Sequence, residues 1–296
     1  MKSVRIIVPF AAGGASDVST RIAAPKFGEM LGQPVVIDNR AGANGIVGSE
    51  ITAKSPADGY TVLMATNGTH AVNISLYPKL SYDPLRDFVP VTEVVSLTNI
   101  LVVHPSLPVK SVKELIALAR LKPGELNYGS GGNGGTPHLS GELFKSMAKV
   151  DLTHVPYKGG GLSTTALLSG EVTMTFNTML TSINLIKSGR LRPLGVTGTR
   201  RSPLMPAVPT ISEAGVPGYE ASTWYGLVAP AGTPKAAVSK LHTSMVKALS
   251  VAEVRNQLVS QGADPVGNSP AEFEAVIRAD ITKWAKVVKA SGARPD

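Results

Sequence analysis

Short runs of β-branched residues alternate with amphipathic helical segments along most of this chain, and glycine-rich loops join the two. The first such unit has a strand-like run at Val4–Val8, a helix that ends near Gly32 and a second strand that begins at Pro34. The same order of strand, loop and helix recurs between residues 111 and 196. This alternation is typical of parallel strands whose connecting helices cover both faces of a sheet. The sequence therefore predicts an α/β fold with mostly parallel sheets.

The chain closes with a well-marked helix. The segment from Ser269 to Glu272 combines a capping box with a proline at the first helical position. Apolar residues then recur every three or four positions and form one continuous stripe: Phe273, Ile277, Ile281, Trp284 and Val288. This spacing predicts a long helix with one face buried against a domain.

Length and hydropathy bound the architecture. A chain of 296 residues is long enough for two domains of ordinary size. The apolar stretches, such as residues 100–103, break within a few residues. A bilayer span needs roughly 20 apolar residues in succession, so we expect that the protein does not itself span a membrane.

The balance of charged residues indicates an anionic partner, because the net charge is +8. The basic residues are scattered and aromatic residues make up 5% of the chain, which argues against a nucleic-acid-binding groove. The chain has no cysteine, so disulfides, thiolate metal sites and cysteine nucleophiles are excluded. The five histidines show no metal-ligand spacing, and we expect neither a metal nor a cofactor.

Four loops at predicted strand ends are built from small or polar residues, at residues 10–17, 66–70, 130–138 and 157–161. In parallel α/β sheets, ligands bind beyond the carboxyl ends of the strands, where free N–H groups at helix starts favour an anion. The loops therefore predict a cleft for a carboxylate or phosphate. The alternative for each loop is a tight turn between strand and helix.

Particular residues within these loops have more than one interpretation. Ser16 or Asp17 is predicted to cap the first helix, and Thr136 is predicted as the N-cap of the helix that follows the third loop. His138, in the first turn of that helix, either donates to an anion or packs and caps.

One motif allows an enzymatic alternative. Residues Gly129 to Gly134 match the G-x-G-x-x-G pattern of dinucleotide-binding loops, and Asp151 lies near the distance expected for a ribose-binding acid. However, Asp151 precedes the next predicted strand instead of ending it. The sequence has no H-E-x-x-H, P-loop or nucleophile-elbow motif, so the residues do not support catalysis.

Several segments resemble, in order, the substrate-binding proteins of tripartite tricarboxylate transporters, also called the Bug family. The resemblance covers nearly the whole chain. It is carried by residues 4–14 with Asp17, 31–36, 39–43, 58–63, 82–88, 138–142, 154–159, 209–215 and 230–234.

The resemblance implies a type II periplasmic-binding-protein fold. Two α/β lobes would be joined by two crossovers and would hold the ligand between them, with residues 1–103 and 226–296 in lobe 1 and residues 104–225 in lobe 2. It implies a monomeric periplasmic protein, in its mature form without a signal peptide. Such a protein captures a small organic carboxylate by hinge closure and delivers it to a two-subunit membrane permease.

The resemblance also implies the ligand-binding residues, which lie in the loops and at one strand end. From the first lobe they are Phe10, Ala11, Ala12, Gly13, Gly14, Asp17, Thr66, Asn67, Gly68, Thr69 and His70. From the second lobe they are Ser130, Gly131, Gly132, Asn133, Gly134, Thr136, His138, Tyr157, Lys158, Gly159, Phe176 and Asn177.

One position departs from the family pattern. Many relatives have an aspartate where this chain has Asn177, and an amide cannot pair with a ligand ammonium group. We therefore expect a plain carboxylate, aliphatic or aromatic, as the ligand. An alternative within the family is a sensing component for a periplasmic histidine-kinase domain, and the enzymatic alternative is an NAD-dependent enzyme that uses Gly129 to Gly134.

Overall fold

The computed structural model describes residues 2–157 and 160–294 of the chain. The chain forms two compact units, each made from two separate stretches of sequence. The first unit comprises Met1–Ser96 and Trp224–Ala285, and the second comprises Leu97–Thr223 and Lys286–Asp296.

The first unit begins with alternating strands and helices. Its elements up to the first crossover are β1 (Val4–Val8), α1 (Ala15–Leu31), β2 (Val35–Asn39), α2 (Ile46–Ala53), β3 (Thr61–Thr66), α3 (Asn73–Leu76) and β4 (Phe88–Leu97). A short 3-10 turn at Ala43–Gly45 precedes α2, and a π-helical turn at Gly68–Val72 precedes α3.

The second unit continues the alternation around its own sheet. Its elements are β5 (Asn99–Val103), α4 (Val112–Leu121), β6 (Asn127–Ser130), α5 (Thr136–Ala148), β7 (Thr153–Pro156), α6 (Gly160–Ser169), β8 (Met174–Thr178), α7 (Met179–Lys187) and β9 (Arg192–Val196). The strand order is β7-β6-β8-β5-β9. Strand β6 pairs in parallel with β7 and β8, whereas β5 runs antiparallel to β8 and β9.

The chain then returns to the first unit. The closing elements are β10 (Thr223–Pro230), α8 (Lys235–Ser250), α9 (Ala252–Ser260), β11 (Ala263–Pro265) and α10 (Pro270–Ser291). The first sheet has the order β11-β4-β10-β3-β1-β2, with β1 parallel to β2 and β3 and with β10 antiparallel to β3.

The closing helix α10 matches its sequence pattern. Ser269 and Glu272 form the predicted capping box, because the Ser269 amide donates to Glu272 Oε2 at 2.8 Å and the Glu272 amide donates to Ser269 Oγ at 3.3 Å. Phe273, Ile277 and Trp284 are buried. The helix is therefore amphipathic, and no helix in the described parts of the chain has both the length and the apolar character that a bilayer span requires.

Strand β4 was not predicted from the sequence. Its run is interrupted by Pro90 and by the polar pair Thr92 and Glu93, so it shows neither strict alternation nor a continuous apolar stretch. Both polar residues are buried, and Asn268 satisfies them: Thr92 Oγ1 donates to the Asn268 carbonyl at 2.7 Å, and the Glu93 amide donates to Asn268 Oδ1 at 2.9 Å. The partner that makes the strand possible lies about 175 residues away in sequence, beyond the reach of a local pattern.

Candidate functional site

In the first unit, the loop between β1 and α1 is organised by a buried aspartate. The Gly13 amide donates to Asp17 Oδ2 at 2.8 Å, and Asn39 Nδ2 at the end of β2 donates both to Asp17 Oδ1 and to the Phe10 carbonyl, at 3.0 Å each. The N-cap of α1 is Gly14, without a side-chain cap. The prediction that Ser16 or Asp17 caps this helix is therefore wrong, because Asp17 lies inside the helix and reaches back to the loop.

The charge on Asp17 is compensated locally. Burial acts to raise the pKa of this carboxyl, but hydrogen bonds from Arg21, Gly13 and Asn39 outweigh it, so the pKa lies below its usual value. Arg21 Nε approaches Asp17 Oδ2 at 2.9 Å. Asp17 is thus occupied in holding the loop, and its Gly13 partner has no amide hydrogen left for a ligand.

The loop that follows β3 is held by its own side chains. The Thr66 amide donates to Thr69 Oγ1 at 3.0 Å, the Thr69 amide donates to Thr66 Oγ1 at 3.2 Å, and the Gly68 amide donates to Asn67 Oδ1 at 3.0 Å. Thr66, Asn67 and Thr69 are buried. These side chains therefore shape the loop.

His70 lies in the core of the first unit. Its ring is fully buried and contacts Phe88 edge-on, with ring centroids 4.7 Å apart. Thr69 Oγ1 donates to the Thr66 carbonyl, so it accepts the 3.0 Å hydrogen bond from His70 Nδ1, and Nε2 is left without a partner among the described residues. Burial lowers the pKa of His70 to about 3, which keeps the ring neutral.

A third segment packs against these two loops, and the sequence interpretation did not assign it to the site. Residues Gly42 to Gly45 all have positive φ, and Asn44 Nδ2 donates to Asn73 Oδ1 at 2.9 Å. A Cβ at Gly45 would lie 2.6 Å from Thr69 Cγ2 and 3.3 Å from Phe10 Cζ. In the sequence, the glycines on either side of Asn44 were the feature that could have indicated this segment.

In the second unit, the start of α5 repeats the geometry of the start of α1. The Gly134 amide donates to His138 Nδ1 at 3.0 Å, as the Gly13 amide donates to Asp17. Gly13 and Gly134 have φ of 81° and 73°, and the N-cap residues Gly14 and Gly135 share extended φ/ψ and lack a side-chain cap. The prediction of Thr136 as the N-cap is wrong, because Gly135 caps and Thr136 is the first helical residue.

The His138 ring belongs to a stack of rings beneath this loop. It lies parallel to the His154 ring, with centroids 3.9 Å apart and planes 9° apart, and His154 stacks in turn on Tyr128. His154 Nε2 is 2.7 Å from Ser130 Oγ. The same hydroxyl donates to the Gly132 carbonyl and accepts from the Gly132 amide. The predicted residues Ser130, Gly132 and His138 thus form one connected group.

The remaining predicted residues of the second unit lie in different environments: some are in the core, some contact a helix and some are exposed. Phe176 is fully buried against Tyr128, and Asn177 Nδ2 donates to Thr164 Oγ1 at 3.1 Å. The Tyr157 hydroxyl donates to Glu171, and partial burial together with this bond raises the pKa of Tyr157 to about 12. Gly131 is exposed, whereas Asn133 is partly buried. Lys158 and Gly159 lie outside the described residues.

The starts of α1 and α5 offer main-chain N–H groups as hydrogen-bond donors. No described hydrogen bond uses the amides of Ala15, Ser16 or Thr136 as donors, and neither helix has a side-chain cap. The first N–H groups of a helix point away from its end and carry partial positive charge, so they suit an anionic oxygen. Among the described residues no cluster of three potential metal ligands occurs.

Two surface cavities lie away from these loops. One, of 510 Å³ in the second unit, is lined in part by Lys113, Arg120 and Lys149, and another, of 120 Å³ in the first unit, lies beside Gln33 and Lys240. Neither is lined by a predicted ligand-binding residue.

Comparison with known proteins shows which molecules share this organisation. Residues 19–293 match the family described as "Tripartite tricarboxylate transporter family receptor". Protein BugT of Bordetella pertussis is 38% identical, over 99% of this chain and 90% of BugT. The structure of R. palustris Rpa4515 with adipate is 42% identical, with a TM-score of 0.86 over 99% of this chain and 98% of that one.

MatC from Rhodopseudomonas palustris, solved with bound malate, is 32% identical, with a TM-score of 0.81 over 97% of this chain and 98% of that one. Because these structures align along nearly the whole chain, the predicted α/β periplasmic-binding-protein fold is confirmed.

Proposed function

Because this chain belongs to the tripartite tricarboxylate transporter receptor family, we propose that it is a periplasmic protein that captures a small organic carboxylate and delivers it to a two-subunit membrane permease. The family consists of substrate-binding receptors, so the chain is a binding protein and not an enzyme.

The observation that carries the proposal is the repeated helix start. Each unit offers a helix N-terminus without a side-chain cap, and no hydrogen bond between described residues uses its first amides, at Ala15 and Ser16 in α1 and at Thr136 in α5. A carboxylate oxygen placed at such amides accepts charge-assisted hydrogen bonds, which are stronger than bonds between neutral groups. Two such starts match an acid with two carboxylates.

The mechanism that we propose is capture by hinge closure, in which each unit serves as one lobe. Closure excludes water from the carboxylate, and in the lower dielectric each hydrogen bond to the anion strengthens. Asp17 and His138 take part indirectly, because each fixes the glycine that precedes a helix start. Rigid loops reduce the entropy that binding must overcome.

The ligand class that we propose is a plain dicarboxylate. The relatives solved with adipate and malate are 42% and 32% identical to this chain, which favours aliphatic diacids. The neutral Asn177 amide, engaged with Thr164, provides no carboxylate for a ligand ammonium group.

The experiment is a calorimetric and thermal-shift titration with adipate, malate, benzoate and glutamate. A ligand at 100 times its Kd stabilises the folded protein by about 2.7 kcal/mol, so adipate or malate should raise the midpoint of thermal unfolding. No response to any of the acids would contradict the proposal.

A matched pair of variants tests the role of the helix start. Ala15→Pro removes the first amide of α1 and should be tolerated, because proline is favoured at this position and the preceding Gly14 has an extended ψ of 164°. Loss of one charge-assisted hydrogen bond, about 1.5–3 kcal/mol, should weaken dicarboxylate binding roughly tenfold or more. Ala252→Pro makes the same change at the start of α9 and should leave affinity unchanged. Equal affinities in the two variants would remove the α1 start from the site.

A further inference from the structure

Tyr225 lies at the end of the first sheet where the candidate loops begin. In the antiparallel pair of β10 and β3, Tyr225 is opposite Thr66, the last residue of β3 and the first of the Thr66–His70 loop. It therefore lies near the carboxyl end of the parallel strands, the edge at which ligands bind in α/β sheets.

The strand pattern indicates which face of the sheet Tyr225 occupies. Its neighbours Trp224 and Gly226 contact Phe273 of α10: the rings of Trp224 and Phe273 are 5.1 Å apart, and a Cβ at Gly226 would lie 2.1 Å from Phe273 Cζ. Side chains alternate along a strand, so Tyr225 points to the opposite face. Helix α1 contacts β1 and β3, but the hydrophobic cluster that contains Phe273 includes no residue of α1, so α1 covers the other face of the sheet. Tyr225 therefore lies on the same face of the sheet as α1, the helix whose first amides have no described acceptor.

The Tyr225 hydroxyl differs from those of the other inner tyrosines. Tyr82, Tyr128, Tyr157 and Tyr219 each donate to a named carbonyl or carboxylate. The Tyr225 side chain is partly buried, yet its hydroxyl has no hydrogen-bond partner among the described residues. The hydroxyl of a half-buried tyrosine is usually satisfied, by protein or by water. The Tyr225 hydroxyl is therefore available to a molecule that the chain does not supply itself, either water or a ligand that displaces it.

The chemistry of this hydroxyl fits an anionic acceptor. Burial raises the pKa of Tyr225 to about 12, so the phenol stays protonated throughout the physiological range. A neutral phenol donates a short hydrogen bond to a carboxylate oxygen without adding charge to the site.

We propose that the Tyr225 hydroxyl donates a hydrogen bond to a carboxylate oxygen of the bound acid and is a specificity-determining residue of the first unit. This inference rests on the proposed function, since it requires an organic acid at the loops of that unit. It adds a side-chain donor to a set of main-chain donors, in a strand that the sequence interpretation did not connect with the site.

The test compares Tyr225→Phe with the matched variant Tyr60→Phe, in titrations with adipate and malate. Tyr60 lies in the same unit, where its ring contacts the Lys2 ammonium group at 4.4 Å. Tyr225→Phe should weaken binding of the responding acid roughly tenfold and leave the unliganded unfolding midpoint unchanged or higher, because no internal hydrogen bond is removed. Tyr60→Phe should bind like the wild type.

The outcomes separate this inference from the function on which it rests. If the wild type binds adipate or malate and Tyr225→Phe binds equally well, the role of Tyr225 is refuted while carboxylate capture stands. If Tyr225→Phe loses affinity only together with a lowered unfolding midpoint, the hydroxyl has a structural role and the inference is also refuted. If the wild type binds neither acid, both fall.

Discussion

Asp17 and His138 perform the same structural task in the two units. Each is the third residue of a helix, and each accepts a hydrogen bond from the amide of a glycine four positions earlier. The carboxylate also pairs with Arg21, at 2.9 Å, and its side chain is almost fully buried. A buried carboxylate with three donors stabilises the folded state only while it is ionised.

Asp17→Asn should therefore lower the free energy of unfolding at pH 7 by roughly 1–3 kcal/mol. The native pKa of Asp17 is below its unfolded value, so its contribution is present above about pH 4 and is lost as the pH falls through the native pKa. The difference between variant and wild type, measured by denaturant unfolding, should shrink at pH 3. Glu29→Gln, which breaks the exposed pair with Lys26, is the control and should cost less than about 1 kcal/mol. A cost for Asp17→Asn no larger than the control would contradict this role.

His70 should make the protein sensitive to mild acid. Its native pKa of about 3 is depressed, whereas an unfolded histidine binds a proton near pH 6.5. Its neutral ring thus favours folding above pH 6.5, and this contribution is lost progressively as the pH falls from 6.5 towards 3. At pH 5 the loss amounts to about 2 kcal/mol. His70→Leu should flatten the dependence of the unfolding free energy on pH between 6.5 and 4, as measured by denaturant unfolding. Parallel curves for His70→Leu and wild type would show that His70 does not titrate on unfolding.

At the residue scale the sequence drew attention to Asp17 and His138 but did not predict their hydrogen bonds to Gly13 and Gly134. Asp17 next to a predicted helix start favours an N-cap, because aspartate is common there. The structure instead has glycine at the cap and uses Asp17 from within the helix. The signal in the sequence was the pair of glycines followed, three positions later, by Asp17 or His138. Whether such a side chain faces the loop depends on β2 and on Asn39, which a local pattern cannot include.

At the scale of elements, α5 packs on β6 through the close approach of a glycine and a tyrosine. A Cβ at Gly141 would lie 2.3 Å from Cε2 of Tyr128. The Tyr128 hydroxyl donates to Glu142 at 2.7 Å, and its ring supports the His154 and His138 stack. The position of this ring therefore connects helix packing with the candidate site.

Gly141→Ala should lower the free energy of unfolding by roughly 1–3 kcal/mol, because the ring cannot move without losing its stack and its hydrogen bond. Gly161→Ala in α6 is the matched control. No atom lies within 4 Å of its added Cβ, and alanine in a helix is favoured over glycine by up to about 1 kcal/mol. Unfolding in denaturant measures both variants, and a Gly141→Ala protein as stable as the wild type would contradict the packing described here.

Elements with a strong local pattern were predictable, and elements defined by distant partners were not. The α10 stripe and its capping box are local features, and both are present. Strand β4 depends on Asn268, and the segment from Gly42 to Gly45 depends on Asn73 and Thr69. Those contacts join residues that only the fold brings together.

At the scale of the whole molecule, the two units share one kind of helix start. Each has a glycine as its cap, and its first amides donate to no other described residue. The sequence interpretation found the glycine-rich loops and the family resemblance, but it could not distinguish amides that remain free from those, such as the Gly13 amide, that the protein uses itself. The net charge of +8 favours encounter with an anion, an effect that salt screens.

The most direct measurement is an amide-resolved NMR titration of the isotope-labelled protein with adipate. We expect the largest shifts on the amides of Ala15, Ser16 and Thr136, and smaller changes at Gly13 and Gly134, whose amide hydrogens are bonded to Asp17 and His138. Saturable shifts confined to other residues, such as Lys113 and Lys149 of the basic cavity, with Ala15, Ser16 and Thr136 unaffected, would contradict this expectation.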